Sequence, residues 1–373
     1  GIYWLLRQQQ IETLARLDRR KPEIKSAELP DTGYYVMRDG WNQGDLYMAI
    51  TAGLSEYKPD HQHGDMLGLV ARAYGQEILP NYQVRYSLTD FEYFKNSFVK
   101  NVAIVDGIPH GIGWRSNRGG SGFGKWEKLP QPRVIAWLKR DSWDFFAGSH
   151  NGYDDIGVEY FRKVVFLKGL GWVVRDIFES SGGVHQFQQI WQGHYSNEGS
   201  DNHHRATFAD GSGLEILQLG GKAESTAASI KRGKGNLVYT MSGQAGGYTT
   251  FLYPYGSFEE RVPDSFFSED SMSSRGWTIR VGLEGKTDIA GFSTDARLII
   301  EHDDGAFLFA ATRVANGEQR FELADQDDFY LEFGPAGAAK VTFLGHRPVE
   351  IKPGAPGQKE NQPIQPGSIV PLQ

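Results

Sequence analysis

Apolar positions recur at spacings of three and four near the start of the chain, and at spacings of two over most of the rest. Leu5, Leu6, Ile11, Leu14 and Leu17 fall on one side of a 3.6-residue period. They predict a helix over residues 2–20, stopped by Lys21-Pro22. From Gly33 onward the period is two, broken by Gly and Asp turns, and strands are predicted at 46–51, 133–138, 160–167, 185–191, 214–219, 236–241 and 277–283. Two more, 297–301 and 306–311, flank the turn His302-Asp303-Asp304-Gly305 as a hairpin. No fixed-period repeat is present, which argues against a propeller or solenoid. The pattern predicts a mainly β chain: a large multi-sheet antiparallel β-sandwich preceded by one α-helix. A softer boundary falls near 246–256. Residues 352–373, rich in Pro, Gly and Gln, read as an extended tail or a strap over the sandwich.

Composition narrows the picture. The 373 residues are 39% hydrophobic and 23% charged, as in a folded chain, and suffice for one large β unit or two ordinary domains. The absence of cysteine excludes disulfides and thiolate metal sites. No apolar run approaches the roughly 20 residues of a membrane span, so none is expected. With a net charge of −7, a polyanion must be met by a local basic cleft, and no nucleic-acid partner is expected. The first residues, Gly1-Ile2-Tyr3-Trp4-Leu5-Leu6, read as the interior of something larger and do not indicate a compartment.

The chemistry-bearing motif is His61-Gln62-His63-Gly64-Asp65. On a strand, His61 and His63 would share one face, with Gln62 turned away and Asp65 continuing the alternation. Two imidazoles side by side hold a metal, relay protons or divide those tasks; the bland alternative is a pair of exposed strand histidines. Residues 114–140 interleave Trp114, Arg115, Arg118, Lys125, Trp126, Lys128, Arg133, Trp137, Lys139 and Arg140. Guanidinium forks pair with carboxylates or sulfates and flat rings stack on sugars, so Trp114, Arg115 and Arg118 are candidate substrate contacts. The alternative is a solvated loop beside an ordinary strand, with Trp137 in the core. Arg38 and Trp41 lie nearer the histidines and would either bind substrate or pack. The glycine-rich run 119–124 lacks a following helix pattern and a Lys-Ser/Thr pair, so it reads as a loop. His185, His194, His203 and His204 have no partner spacing for a metal, and no Gly-x-Ser-x-Gly esterase motif is present.

Three blocks, in order over about 80 residues, carry a resemblance. Asp31-Thr32-Gly33-Tyr34-Tyr35-Val36-Met37-Arg38-Asp39-Gly40-Trp41 resembles the opening strand of the sandwich in heparinase II/III polysaccharide lyases. His61 to Asp65, with Ile78-Leu79-Pro80-Asn81 after it, resembles that family's His-x-His-x-Asp strand and the strand that follows. Asn101-Val102-Ala103-Ile104-Val105-Asp106-Gly107 resembles its His-Asn-Thr-Val-Val-Val-Asp-Gly segment. The resemblance implies a helical (α/α) toroid followed by a stacked sandwich. Residues 1–27 would then be the toroid's terminal helix, 28–350 the sandwich and 351–373 the tail.

The implied chemistry is β-elimination at C5/C4 of a uronic-acid-containing polysaccharide. His61 would contribute from the sandwich, and a Tyr would come from a toroid domain or companion chain. His63 matches a zinc ligand of the family, but its partners there correspond to Asn81 and Lys100 here, a poor ligand and a charged ammonium. The metal site is therefore expected to be degraded, with at most a weakly held hard ion near His63, and no cofactor is required for the chemistry. Periplasmic or secreted localisation follows from the resemblance alone, and the uronate polymer stays open. A non-catalytic carbohydrate-binding sandwich is the alternative reading.

Overall fold

A computed structural model of the chain describes residues 5–17, 20–54, 61–116, 124–220, 223–263, 265–317, 319–334, 339–349 and 363–372. The front helix runs over Gln8–Arg16, shorter than predicted. It starts where the Arg7 N–H donates to Gln10 Oε1 at 2.9 Å, and it ends where Leu17 turns extended. None of its residues is buried, and Leu14 and Leu17 face outward.

The rest is antiparallel β-structure. Five strands, from Ala27–Leu29 to Gln76–Leu79, form one sheet in sequence order. A four-stranded sheet pairs Glu224–Ile230, Lys234–Gly243, His185–Gln192 and Ala103–Val105. An eight-stranded sheet runs from Ser196–Ser200 at one edge to Pro132–Lys139 at the other, with Ala245–Tyr255, Gly171–Ser180, Val158–Leu167 and Trp143–His150 inside it. The chain then crosses to a nine-stranded sheet spanning Ser271–Ser274 to Ile369–Pro371.

The order of layers follows from what each face buries. Val164, Trp172, Val174 and Leu252 of the eight-stranded sheet meet Met37, Met48 and Leu69 of the five-stranded sheet and Ile190 and Leu237 of the four-stranded one. Its opposite face, with Phe145, Val165, Val173 and Phe251, packs on Ile279, Leu298, Ile300 and Phe307 of the nine-stranded sheet. Its central strands are therefore buried on both sides, and every residue of Trp143–His150 is buried. Val158–Leu167 is accordingly buried at every position but Glu159, with Arg162 and Lys163 buried among its apolar side chains. A third core lies within the nine-stranded sheet around Phe292, Leu308, Val314 and Phe329.

The predicted multi-sheet sandwich with one leading helix is the observed architecture. Strand predictions hold to within a few residues: 133–138 is Pro132–Lys139, and the 302–305 hairpin joins Leu298–His302 to Gly305–Asn316. Two local expectations differ. Residues 61–65 are not a strand: Gly64 N–H bonds to the Lys95 carbonyl at the end of a short helix, and the Asp65 carbonyl accepts from Gly68 N–H in a turn, so neither joins a ladder. The end of the expected tail is sheet: Ile369–Pro371 pairs with Ala339–Phe343, Ile364 bridges Val349, and Leu372 is buried.

One buried ion pair ties three sheets together. The Arg162 guanidinium, fully buried, donates to both Asp176 oxygens at 2.7 and 2.8 Å across the ladder. Asp176 also accepts from Tyr160 Oη at 2.8 Å and from Gln189 Nε2, in the four-stranded sheet, at 2.7 Å. The remaining Arg162 nitrogen donates to the Leu67 and Asn101 carbonyls at 2.8 and 2.9 Å. Asp176→Ala would leave the guanidinium buried without its counter-charge and should cost about 3–5 kcal/mol in urea unfolding. A loss under about 1 kcal/mol would show that the network does not hold the sheets together.

Candidate functional site

The histidine motif sits in a loop fixed from beneath. Gly64 N–H donates to the Lys95 carbonyl at 2.9 Å, and Ser97 Oγ donates to the Gly64 carbonyl at 2.8 Å. A Cβ on Gly64 would lie 2.2 Å from Asn96 Oδ1, so only glycine fits there. Asn96 in turn clamps Gly111 through both its backbone groups, at 2.7 and 2.9 Å. Beyond the motif, Leu67 N–H donates to the Thr51 carbonyl at 2.7 Å and returns the chain to the five-stranded sheet.

Strand alternation therefore does not set the side-chain directions. His61, His63 and Asp65 nevertheless open into one cleft of about 700 Å³, and Gln62, expected to turn away, lines it too. Tyr34 and Thr51 on adjacent strands, and Asn81, form further parts of its wall. His61 is at the exposed rim, and His63 lies deeper.

Two buried lysines adjoin the cleft without lining it. Lys100 is 1% exposed, and its ammonium donates to Asn81 Oδ1 at 2.5 Å. Burial pushes it down to about 8, with Asp65 opposing and Lys95 adding to the shift, so it stays protonated at neutral pH. Burial first, then the charges of Lys100, Lys95 and His61, push His63 down to about 3. Burial raises the Asp65 carboxyl, against the pull of Lys100. Burial also raises the Tyr34 phenol, helped by the charges of Asp65 and Tyr47, so its hydroxyl remains a hydrogen-bond donor. Lys95 is fully buried, with its ammonium 4.3 Å over the Trp114 ring.

The residues where a metal would be expected do not fit one. A protonated Lys100 cannot ligate, and its ammonium engages the oxygen that Asn81 would offer. Among the described residues no three His, Asp or Glu side chains converge on a metal position. Three of the four other candidate histidines have side-chain partners: His203 Nε2 meets Glu215 at 2.6 Å, His204 Nδ1 meets Tyr239 Oη at 3.0 Å, and His185 Nδ1 meets Asp106 at 2.7 Å.

The candidate substrate contacts do not gather in the cleft. Arg38 stacks over Trp41 at 3.8 Å and Tyr47 at 4.9 Å, Trp41 Nε1 donates to the Ile24 carbonyl at 2.7 Å, and neither residue lines the cleft. Trp114 lies edge-on to Trp126 at 5.0 Å and to Phe91 at 5.6 Å, and Arg115 pairs with Glu127 on the facing strand of the hairpin. Trp137 packs edge-on to Tyr35 at 5.4 Å beside the first core. Arg118 and residues 119–123 of the glycine-rich run lie outside the described residues. Cleft residues that motif reading did not single out include Asp31, Thr32, Tyr34 and Thr51, and Lys95, whose carbonyl holds Gly64, was missed as well. The short helix Phe91–Lys95 gives no local signal that its last residue charges a distant histidine.

The comparisons with known proteins agree with this architecture. A heparinase III gene product matches at a TM-score of 0.56 and 14% identity, over 79% of this chain and 43% of that one. A heparan sulfate lyase HepC mutant from Pedobacter heparinus matches at a TM-score of 0.56 and 15% identity, over 80% and 44%. At such identities the likeness is one of fold, and the chain spans less than half the length of either structure. Among curated proteins none matches in sequence. The family described as Heparinase II/III-like, C-terminal matches residues 21–247, more than half of the chain. This match places the chain in the heparinase II/III-like C-terminal family, and the stacked sheets agree with it.

Proposed function

We propose that this chain is the sandwich half of a polysaccharide lyase that cleaves a uronic-acid-containing polymer by β-elimination. The observation that carries the reading is the cleft, which gathers His61, His63, Asp65 and Tyr34 at one open wall of a chain belonging to this family. Elimination needs a base for the C5 proton, positive charge or hydrogen bonds for the adjoining carboxylate as its electrons shift, and an acid for the departing O4. His61, exposed at the rim, abstracts the proton or helps neutralise the carboxylate. Tyr34 donates a hydrogen bond to substrate. The Tyr that completes the acid–base pair comes from the toroid portion of the protein or a companion chain. Such an enzyme meets its polymer in the periplasm or outside the cell.

The test is the ultraviolet absorbance of the unsaturated product, followed on a panel of uronate polymers with this chain and the toroid portion that supplies the Tyr both present. Turnover on one of them, lowered about a hundredfold or more in His61→Ala with thermal stability unchanged, is the expected result. Saturable polymer binding with no product on any of them would replace the lyase reading with that of a non-catalytic carbohydrate-binding sandwich.

A second prediction concerns His63. Its folded-state value of about 3 lies below the ordinary 6.5, so below pH 6.5 the unfolded chain takes up a proton that the folded one refuses. The stability this group gives is complete above pH 6.5 and drains away as the pH falls toward 3. NMR should show no titration of the His63 ring between pH 5 and 8. His63→Gln should lose less stability on acidification than the native protein. A His63 titration centred near 6 would refute this.

A further inference from the structure

The side chain that the cleft does not expose is the one with the most consequence for it. Lys100 ends a turn of 3₁₀ helix, where its N–H donates to the Ser97 carbonyl at 3.0 Å, and its own carbonyl accepts from Gln192 Nε2 at 3.0 Å. Next to it, Asn101 Nδ2 donates to the Leu69 and Pro80 carbonyls at 2.8 and 3.1 Å, and Asn101 Oδ1 accepts from Gln192 N–H at 2.7 Å. The backbone that carries Lys100 is therefore fixed on both sides, and so is the strand end that carries Asn81.

An ammonium withdrawn from water is costly unless oxygen atoms replace the lost solvent. Asn81 Oδ1 provides one such atom at 2.5 Å. Lys100 also lines a cavity of about 10 Å³ together with Asp65, Asn81 and Thr51. That space holds about one water, and the ammonium already occupies the Asn81 oxygen that a metal would need.

We propose that Lys100 is an internal cation standing in for a divalent metal behind the cleft. Its ammonium holds Asn81 Oδ1 and shares a small cavity with Asp65, so that the place a metal would take is already filled by a positive charge. Lys100 is buried and does not line the cleft, which makes it a positioning residue. The inference concerns the wall of the cleft and stands whether or not the cleft performs elimination.

Zinc and calcium titration calorimetry, with thermal unfolding in each metal and in EDTA, tests it. The native protein should show no saturable binding, and its thermal midpoint should move with neither metal nor chelator. The variant Asn81→Asp/Lys100→His, which leaves His63 in place, offers three donors where the ammonium was. It should bind about one zinc, with a midpoint raised by zinc and returned by EDTA. Uptake of one zinc by the native protein, lost in His63→Ala, would overturn the proposal, as would a folded double variant that takes no zinc. Should the double variant not fold, Lys100→Met decides. A lowered midpoint supports the internal cation, and a midpoint equal to native overturns it.

Discussion

The Arg162–Asp176 pair is the point on which the layers depend. A fully buried guanidinium and carboxylate are tolerable only if every lone pair and every N–H finds a partner. Here the partners come from three directions. Tyr160 belongs to the middle sheet, Gln189 to the four-stranded sheet, and the Leu67 and Asn101 carbonyls to the segments that frame the cleft. Satisfying the charge therefore fixes where those segments sit. Leu67 is two residues past Asp65 and Asn101 is one past Lys100, so one buried network sets the spacing of the two halves of the cleft wall.

The same arrangement explains how the site differs from a pair of strand histidines. The loop at 61–65 is not shaped by a ladder; it is held by Lys95, Asn96 and Ser97 from below and by Thr51 behind. What strand geometry would have supplied by alternation is supplied by tertiary contact. His63 faces buried cations and stays neutral, whereas His61 sits at the rim in contact with solvent. Two identical side chains two residues apart thus meet different environments, one open to solvent and the other part of the wall.

Much of the fold is legible in the sequence because its signals are local. Period-two segments such as 160–167 and 185–191, and the turn at 302–305, carry strand and hairpin information within a few residues. The motif at 61–65 is legible as chemistry, since the residue types alone point to proton transfer or metal binding. The departure at Asn81 and Lys100 is legible as well. What is not legible depends on distant pairings. Tyr34 reaches the cleft because its strand lies beside Tyr47–Thr51, Lys95 charges the site from a separate helix, and Arg38 turns its guanidinium onto Trp41 instead of toward the histidines. The C-terminal strand Ile369–Pro371 escaped the compositional reading because a segment rich in Pro and Gly forms a strand only when an open sheet edge accepts it.

The middle sheet has a consequence for how this protein can be divided. The part matching the family description stops at residue 247, within the strand Ala245–Tyr255, yet Phe145, Val165, Val173 and Phe251 share a core with Val262, Phe266 and the layer built from residues 271–371. A chain ended after Tyr255 would keep every side chain of the cleft wall described above and would uncover a broad apolar surface on eight paired strands, the kind of face that drives self-association. The C-terminal layer is therefore a structural lid for the sandwich and not a detachable module, even though it lies far from the chemistry.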